Sequence, residues 1–326
     1  MATKQPEPRR PRLPRSGRRL RRCGSTVRVV DVVVVGSINQ DTTVLTRSLP
    51  SPGETVLGRG HYTGGGGKGA NQAVAAARLG SKVAMIGRVG DDQHGIALRA
   101  SLTKEGVDVA AVGVDPRLPT GIALITIDEA AENTIVVSPG ANHGLTPDHL
   151  DARLLVDGAV VLTQLEIPME TVLAAAGMCV GMLVLNPAPA QALPDELVDR
   201  VDLLVPNRTE LAALSGREEP ESFEQAVSAV RSLDRSRPTV VTLGADGALI
   251  VDGVEEHHIS PPYVDPVDPT GAGDAFCGAL ADSSSRGMEL VEAVRRAVVA
   301  GALATTRAGA QSAMPSAEEV EMALDI

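Results

Sequence analysis

Aromatic residues are nearly absent from this chain of 326 residues, which has no tryptophan, two tyrosines and two phenylalanines. Residues 1–28 carry ten of the 30 basic residues and one of the 41 acidic residues, so the rest of the chain is strongly acidic. Proteins that bind nucleic acids usually combine a basic surface with aromatic rings on which bases stack. The sequence therefore predicts no nucleic-acid partner.

Cysteine and long hydrophobic runs are scarce as well. The three cysteines, Cys23, Cys179 and Cys277, are widely spaced and match no metal-ligand pattern, which is typical of proteins in a reducing compartment. The longest apolar run, residues 29–36, is interrupted by Asp31 and is much shorter than the ~20 residues of a membrane span. We therefore expect a cytoplasmic protein without a membrane partner.

The basic residues at the start of the chain are interspersed with prolines and form no apolar face. Such a composition cannot bury enough apolar surface to fold. It also lacks the apolar segment, roughly 7–15 residues long, of a secretory signal. We expect residues 1–28 to be a disordered basic tail and residues 29–326 to form one domain.

From residue 81 onward, strand-like segments alternate with helix-like segments, as in KVAMIGRVG followed by IALRASLTKEG. This alternation predicts an α/β fold with a doubly wound, mostly parallel sheet flanked by helices. Segments near 42–63 and 120–138 depart from the alternation, and the second contains two strand-like runs joined by a polar connection. We expect these segments to form a small antiparallel β lid over a site. The polar run at 282–287 predicts a break between two late helices.

Polar residues recur where the predicted strands end. Asn39 and Asp41 follow the first strand, and later strand ends carry Glu166, Asn207, Glu210 and Thr242, with Gly244 and Gly247 in the last turn. Open α/β sheets bind their ligands at the carboxyl ends of the strands. We therefore expect the binding site at this edge of the sheet.

A run of glycines at residues 64–69 precedes an alanine-rich helix. The run satisfies the spacing GxGxxG, with Asp91 and Asp92 downstream, as in a dinucleotide-binding fingerprint. An NAD-binding enzyme is therefore one interpretation. The other is a flexible loop that closes Lys68 and Asn71 around a polyhydroxylated ligand.

The stretch VDPTGAGDAFCGAL, residues 267–280, places a Gly-Ala-Gly turn and an acid at the start of a predicted helix. Gly271, Ala272 and Gly273 can present backbone N–H groups to an anion at the positive end of the helix dipole. Asp274 faces the same anion and can accept a proton from a hydroxyl group. This combination suits the transfer of a phosphoryl group to an alcohol.

Together, GGKGANQAVAAARLG and DPTGAGDAFCGAL resemble the two signatures of the ribokinase-like family of sugar and nucleoside kinases. The resemblance covers residues 29–315. It implies an enzyme that uses ATP with Mg²⁺, an activating monovalent cation, usually K⁺, and a homodimer joined through the β lid. GSINQD, AENTI, TQLEIP, LNPAPA and RAGAQ favour the branch of the family that phosphorylates D-ribose at O5.

The resemblance also implies roles for individual residues. Sugar contacts fall on Asn39, Asp41, Gly67, Lys68, Asn71 and Glu166. The catalytic base is Asp274, and the anion hole consists of Gly271, Ala272 and Gly273. Nucleotide and magnesium contacts fall on Asn207, Glu210, Thr242, Gly244, Gly247 and Gly273. The residues expected to bind the monovalent cation are Asp268, Thr270, Ala304, Arg307 and Gly309, the last three mainly through backbone carbonyls.

Two further alternatives stay open within this resemblance. The family also contains kinases of deoxyribose, fructose and nucleosides such as adenosine, so the substrate can be another sugar or a nucleoside. A protein with the same fold can also bind a sugar without catalysis. The intact GAGD favours an enzyme, because a sensor has little use for a proton acceptor beside an anion hole.

Overall fold

The computed structural model describes residues 30–130 and 132–325, so the predicted basic tail lies outside the described residues. The strands are β1 (Val32–Val35), β2 (Asn39–Leu45), β3 (Gly60–Gly66), β4 (Val83–Gly90), β5 (Val112–Asp115), β6 (Gly121–Ile127), β7 (Asn133–Ser138), β8 (Val160–Thr163), β9 (Met182–Leu185), β10 (Leu203–Leu204), β11 (Thr239–Thr242), β12 (Ala248–Asp252) and β13 (Glu255–Ile259). The α-helices are α1 (Lys68–Arg78), α2 (Gln93–Lys104), α3 (Ala152–Asp157), α4 (Met169–Met178), α5 (Asp195–Arg200), α6 (Arg208–Ser215), α7 (Phe223–Arg231), α8 (Ala272–Ser285), α9 (Leu290–Ala304) and α10 (Ala317–Leu324). None of these helices is long and apolar enough to cross a membrane.

Within the described residues, the larger sheet has nine strands in the order β13-β12-β11-β10-β9-β8-β1-β4-β5. The pairings from β5 across to β11 are parallel, whereas β12 and β13 add antiparallel strands at one edge. The predicted doubly wound, mostly parallel sheet is confirmed. The strand order reverses around β1, which lies between β4 and β8, and open α/β sheets bind ligands at such a reversal.

Strand β1 shows how the sequence builds two layers around this sheet. Its four valines are fully buried. Because successive side chains of a strand point to opposite faces, Val32 and Val34 pack in the layer that contains α1, α8 and α9. Val33 and Val35 pack in the opposite layer, with α4 and α5. A strand covered on both faces must be apolar at every position, which explains the uninterrupted valine run.

The smaller sheet has the order β3-β2-β6-β7. The pairs β2–β3 and β6–β7 are antiparallel and β2–β6 is parallel. The interpretation of the glycine run as a flexible loop is wrong, because Gly60–Gly66 is strand β3. Glycines can form this strand because pairing with β2 uses backbone groups and needs no side chain. Residues 54–59, within the segment 42–63 assigned to the lid, lie outside any strand.

A break separates the two late helices, but it lies at residues 286–289, because α8 continues to Ser285 and α9 begins at Leu290. Asp282 and Ser283 are fully buried within the helix. Asp282 Oδ1 accepts hydrogen bonds from Ser81 Oγ at 2.7 Å and from Arg286 Nη2 at 2.9 Å. The break begins later than expected because Ser81, which is remote in sequence, and Arg286, one turn further along, satisfy a buried acid that local polarity alone would place in a loop.

Replacing Asp282 with alanine is expected to lower the free energy of unfolding by about 2 kcal/mol. The buried Ser81 hydroxyl would lose its acceptor, whereas Arg286, whose side chain is 45% exposed, can be solvated. Urea unfolding measures the change. The matched control is Glu292→Ala, which removes an ion pair with Arg295 whose members are about half exposed and should cost about 0.5 kcal/mol or less. Equal losses in the two variants would contradict the role given to Asp282.

Candidate active site

The amino ends of α1 and α8 meet beside the carboxyl ends of β1 and β8. Asn71 lies in the first turns of α1, and its Nδ2 donates a hydrogen bond to Asp274 Oδ2 at 2.9 Å. Asp274 lies in the first turn of α8 and is only 8% exposed. The helix begins after Gly271, whose φ of 78° is in the left-handed region that favours glycine. The Ala272 N–H, predicted for the anion hole, donates here to the carbonyl of Pro269 at 3.2 Å.

A cavity of about 120 Å³ opens beside Asp274. Its lining includes Lys68, Glu210, Thr242, Gly271, Gly273 and Asp274. These residues come from the predicted sugar, nucleotide and anion-hole groups and lie far apart in the sequence. The fold therefore brings the three groups to one place.

Lys68 is the first residue of α1, directly after the N-cap Gly67. Burial would lower the pKa of Lys68, but the carboxylates of Asp274, Glu166 and Glu210 outweigh burial and raise the pKa above its usual value. The side chain is therefore an ammonium ion at neutral pH. It supplies a positive charge at an otherwise acidic site, and a phosphate group can bind to it.

Asn207 and Glu210 form a reciprocal cap at the start of α6. The Asn207 side chain accepts a hydrogen bond from the Glu210 N–H at 2.7 Å, and Glu210 Oε2 accepts one from the Asn207 N–H at 2.8 Å. Burial raises the pKa of Glu210 by more than the Asn207 N–H and the nearby lysine lower it.

The residues predicted to bind the nucleotide lie at the neighbouring strand end. Thr242 ends β11 and lies opposite Asn207, and Gly244 and Gly247 lie in the turn that follows.

A larger cavity, of about 390 Å³, lies between the small sheet and the loops that precede α8 and follow α9. Asp41 and Thr43 of β2 and Ile125 of β6 line this cavity. Leu124 of β6 and its cross-strand partner Val136 of β7 belong to the opposite face, because side chains alternate along a strand. The small sheet thus has an inner face over a cavity and an outer apolar face.

Asp41 carries the most perturbed carboxyl group of the inner face. Its Oδ1 is buried and has no hydrogen-bond partner among the described residues. Burial, followed by the negative charges of Glu166 and Asp274, raises the pKa of Asp41 to about 7. The carboxyl group lies over β3, where a Cβ on Gly66 would stand 2.0 Å from Asp41 Oδ2. Only glycine at position 66 leaves room for this acid.

The side chains of Glu166 and Asn39 accept hydrogen bonds from neighbouring residues, in contrast to the unpartnered Oδ1 of Asp41. Glu166 Oε2 accepts hydrogen bonds from Ser37 Oγ at 2.5 Å and from the Lys68 N–H at 3.1 Å. Asn39 is buried, and its Oδ1 accepts a hydrogen bond from Asn142 Nδ2 at 2.7 Å. Glu166 therefore links the sheet edge to α1, and Asn39 keeps its amide nitrogen available for a ligand.

The residues predicted for a monovalent cation are only partly brought together. The Asp268 carboxylate accepts hydrogen bonds from the N–H groups of Thr270 at 2.9 Å and Gly309 at 2.8 Å. Burial would raise the pKa of Asp268, but the hydrogen bonds from Gly309 and Thr270 outweigh it and lower the pKa. Ala304 is fully buried at the end of α9. The Arg307 side chain points away and pairs with a glutamate of α10.

The sequence analysis missed four amide side chains at the site. Gln72, Asn142 and Gln311 contact predicted residues, and Gln164 contacts Gln72. Gln72 Nε2 donates to Asp274 Oδ1 at 2.9 Å, and Gln311 Nε2 donates to Asn71 Oδ1 at 3.2 Å. Gln72 is adjacent to Asn71 in the glycine signature, and Gln311 belongs to RAGAQ, so the sequence motifs could have identified both residues. Gln164 lies in TQLEIP, so it had a similar sequence signal, whereas Asn142 lies in none of the quoted segments.

Residues 30–317 match the family model described as "pfkB family carbohydrate kinase". The chain belongs to the pfkB family of carbohydrate kinases. A ribokinase from Haemophilus influenzae is 36% identical over 88% of this chain and 96% of its own length. A deoxyribokinase from Salmonella typhimurium is 37% identical over 89% of this chain and 97% of its own length. The structure of Arabidopsis thaliana ribokinase complexed with ribose and ATP matches with a TM-score of 0.85 and 32% identity, and covers 91% of this chain and 99% of that chain.

Membership of the pfkB family replaces the NAD-binding interpretation. A dinucleotide fingerprint requires the glycines to join a strand of the parallel sheet to a helix. In this kinase the glycines form β3, which belongs to the small sheet and pairs antiparallel with β2. The glycine-rich strand forms part of the wall of the larger cavity under the small sheet, the lid cavity.

Proposed function

We propose that this pfkB-family kinase transfers the terminal phosphoryl group of ATP to O5 of D-ribose, with ribose 5-phosphate and ADP as products. The observation that carries the proposal is the buried, unpartnered oxygen of Asp41 in the lid cavity. A buried acceptor requires hydrogen-bond donors, and two adjacent sugar hydroxyls supply them. The relatives named ribokinase, one of them solved with ribose and ATP, support ribose as the sugar.

In this proposal the sugar lies between Asp41 and Asp274. Asp41 accepts hydrogen bonds from two ring hydroxyls, and the 5-hydroxyl faces Asp274. Asn71 uses one amide hydrogen on Asp274, so its second amide hydrogen remains for the sugar. The other proposed sugar contacts are Asn39, Gly67, Lys68 and Glu166.

Asp274 is the proposed catalytic base. It accepts the proton of the 5-hydroxyl as the new oxygen–phosphorus bond forms, since phosphoryl transfer needs positioning and charge stabilisation and no covalent intermediate. The N–H groups at the start of α8, at residues 271–273, and the Lys68 ammonium stabilise the charge on the transferred group. The buried position of Asp274 and the lid cavity limit competition from water.

ATP is proposed to bind on the β11 side of the smaller cavity. Its contacts are Gly273, Thr242, Gly244 and Gly247. Asn207 and Glu210 are proposed to hold Mg²⁺ through water, and the fit is supported by the buried Glu210 carboxyl group that lines the cavity. When bound with ATP, Mg²⁺ neutralises charge on the phosphate oxygens.

A monovalent cation is proposed to bind beside the loop that leads into α8, and K⁺ is the cation proposed. The Asp268 carboxylate and the Gly309 backbone already meet there, and Thr270 lies next to them. Ala304 and Arg307 have side chains directed elsewhere, so they would contribute backbone carbonyls. Such a cation would hold the entry to α8 and with it the anion hole.

The substrate is tested with a panel of acceptors: D-ribose, 2-deoxyribose, fructose and adenosine, each assayed by coupled ADP release with and without K⁺. We expect ribose to have the highest kcat/KM, and K⁺ to increase turnover. A higher kcat/KM for any other acceptor would refute ribose as the substrate. Ribose binding without ADP release under saturating Mg-ATP and K⁺ would favour a non-catalytic sugar-binding protein.

The compartment proposed for this reaction is the cytoplasm. Cys179 and Cys277, the cysteines within the described residues, are both buried and have free thiols there. Unpaired cysteines are usual in reducing compartments, which supports the proposal.

A homodimer joined through the small sheets is proposed from the outer face of the lid. Leu124 and Val136 are 50% and 66% exposed and lie opposite each other on this face. Strand β7 is an edge strand with all six residues exposed. An exposed apolar edge strand readily pairs with another chain, and a second copy of the same lid is the proposed partner.

Replacing Val136 with aspartate is expected to convert the dimer to a monomer at micromolar protein, because it places a charge at the centre of the proposed apolar interface. Size-exclusion chromatography with light scattering measures the mass. Val254→Asp is the matched control, since Val254 is 89% exposed and lies outside the lid. A monomeric wild-type protein, or a Val136→Asp variant that stays dimeric, would contradict the proposed interface.

A further inference from the structure

Gln72 contacts three side chains at the active site and is fully buried. Its Nε2 lies 2.9 Å from Asp274 Oδ1 and 3.2 Å from Asn186 Oδ1. Its Oε1 accepts a hydrogen bond from Gln164 Nε2 at 2.5 Å. One amide thus joins α8 to two neighbouring strand ends of the large sheet, because Gln164 follows β8 and Asn186 follows β9.

The orientation of the Gln72 amide follows from its surroundings. Asn186 Nδ2 donates to the Val205 carbonyl at 3.0 Å, which turns Asn186 Oδ1 toward Gln72. Two oxygen atoms, one of them on the Asp274 carboxylate, therefore face the same end of the Gln72 amide. Only the nitrogen end can satisfy both, since an oxygen there would oppose two acceptors. The Gln164 donor then occupies the oxygen end.

Both oxygens of Asp274 are held by consecutive residues of α1. Asn71 donates to Oδ2 and Gln72 donates to Oδ1. Two donors on different oxygens fix the plane of a carboxylate, whereas a single donor leaves it free to rotate about its last torsion. Each oxygen accepts one hydrogen bond in this way and retains a lone pair for a substrate hydroxyl.

We propose that Gln72 is a positioning residue that fixes the plane of the Asp274 carboxylate for proton transfer, with Gln164 and Asn186 orienting its amide. The proposal rests on the role proposed above for Asp274 as the base. Gln72 acts through Asp274 in this arrangement, so its loss affects the chemical step more than sugar or nucleotide binding. Its burial behind Asp274 explains why an amide, which carries no charge and no titratable proton, occupies the position.

Replacing Gln72 with leucine is expected to lower kcat about 10- to 100-fold, because Asp274 loses one charge-assisted hydrogen bond and its fixed plane. The KM values for ribose and ATP should change by about threefold or less. Thr163→Val is the matched control. Thr163 is equally buried at the end of β8 and donates to the Val35 carbonyl at 2.9 Å, so its loss should affect stability and leave kcat unchanged.

A double-mutant cycle with Asp274→Asn separates positioning from a general loss of packing. In the D274N background, Q72L is expected to cause no further decrease in the residual kcat, since there is no carboxylate left to orient. The same decrease in both backgrounds would overturn the proposal, as would a Q72L variant with wild-type kcat or one in which KM alone changes. If D274N retains wild-type turnover, the base assignment itself fails, which is a separate result.

A second variant covers the case in which Q72L does not fold. Gln164→Met removes the amide that holds Gln72 Oε1 but leaves Gln72 beside Asp274. We expect a smaller decrease in kcat, about two- to tenfold, in the same direction and again with little change in KM. An unchanged kcat in soluble Gln164→Met, with Thr163→Val as reference, would overturn the proposed network.

Discussion

Replacing Asp274 with asparagine is expected to lower kcat for ribose phosphorylation by about 10²- to 10⁴-fold, the range of a lost general base. The substitution keeps the size of the side chain but removes the proton acceptor. It also places an amide group opposite the donors of Asn71 and Gln72, which now meet the Asp274 carboxylate at 2.9 Å each. Coupled ADP release at saturating ribose and Mg-ATP measures kcat, and calorimetry measures whether ribose still binds.

The control for this substitution is Asp282→Asn. Asp282 is a buried acid on the same helix as Asp274, but its side-chain partners are Ser81 and Arg286, which are not among the residues lining the cavity beside Asp274. The control variant is expected to lose stability and to keep its kcat at a temperature where it remains folded. Wild-type turnover in Asp274→Asn would rule out the proposed mechanism, whereas equal kcat losses in both variants would indicate general damage to α8.

Replacing Asp41 with asparagine is expected to raise the dissociation constant for ribose by about 10²-fold or more, because two charge-assisted hydrogen bonds to the sugar hydroxyls are lost or weakened. The kcat at saturating ribose should fall much less, because Asp41 is proposed to bind the sugar away from the reacting hydroxyl. Isothermal titration calorimetry gives the affinity and initial rates give kcat. A variant that loses kcat with unchanged affinity would contradict this role.

The wild-type enzyme should also bind ribose with a pH dependence that comes from Asp41. Burial and the carboxylates of Glu166 and Asp274 raise the pKa of Asp41 to about 7 in the free protein. Sugar hydroxyls donate to the ionised form and so lower the pKa in the complex. Binding therefore releases a proton, and affinity increases as pH rises toward and through about 7. Titrations between pH 6 and 8 in buffers of different ionisation enthalpy should detect this proton, and Asp41→Asn should abolish it.

Local patterns predicted those parts of the site that depend on a single stretch of chain. The Gly-Ala-Gly turn before Asp274 predicted a helix start with an acid in its first turn, and α8 begins there. The first strand was expected just before Asn39, and β1, formed by the valine run, lies there and is covered on both faces. In both cases the residues that decide the structure lie within a few positions of each other.

Two of the sequence-based expectations needed correction where a remote partner decides the structure. The break between the two late helices was expected at 282–287, but it begins after Ser285, because the remote Ser81 helps to satisfy Asp282 inside α8. The glycines before Lys68 were expected to be a loop, but their backbone pairs with β2. The amides of Gln72 and Gln164 lie in quoted motifs, but their roles were missed because their partners are remote in sequence.

The sequence by itself determined the family, the alternation of strands and helices, and the acids and lysine that carry the proposed chemistry, since these depend on composition and short motifs. Only the tertiary structure decided how these groups act on one another. Asn71 and Asp274 are 203 positions apart and share a hydrogen bond, and the raised pKa of Asp41 comes from burial and from acids on other elements. Burial and electrostatic interaction depend on distance in space, which no local pattern records.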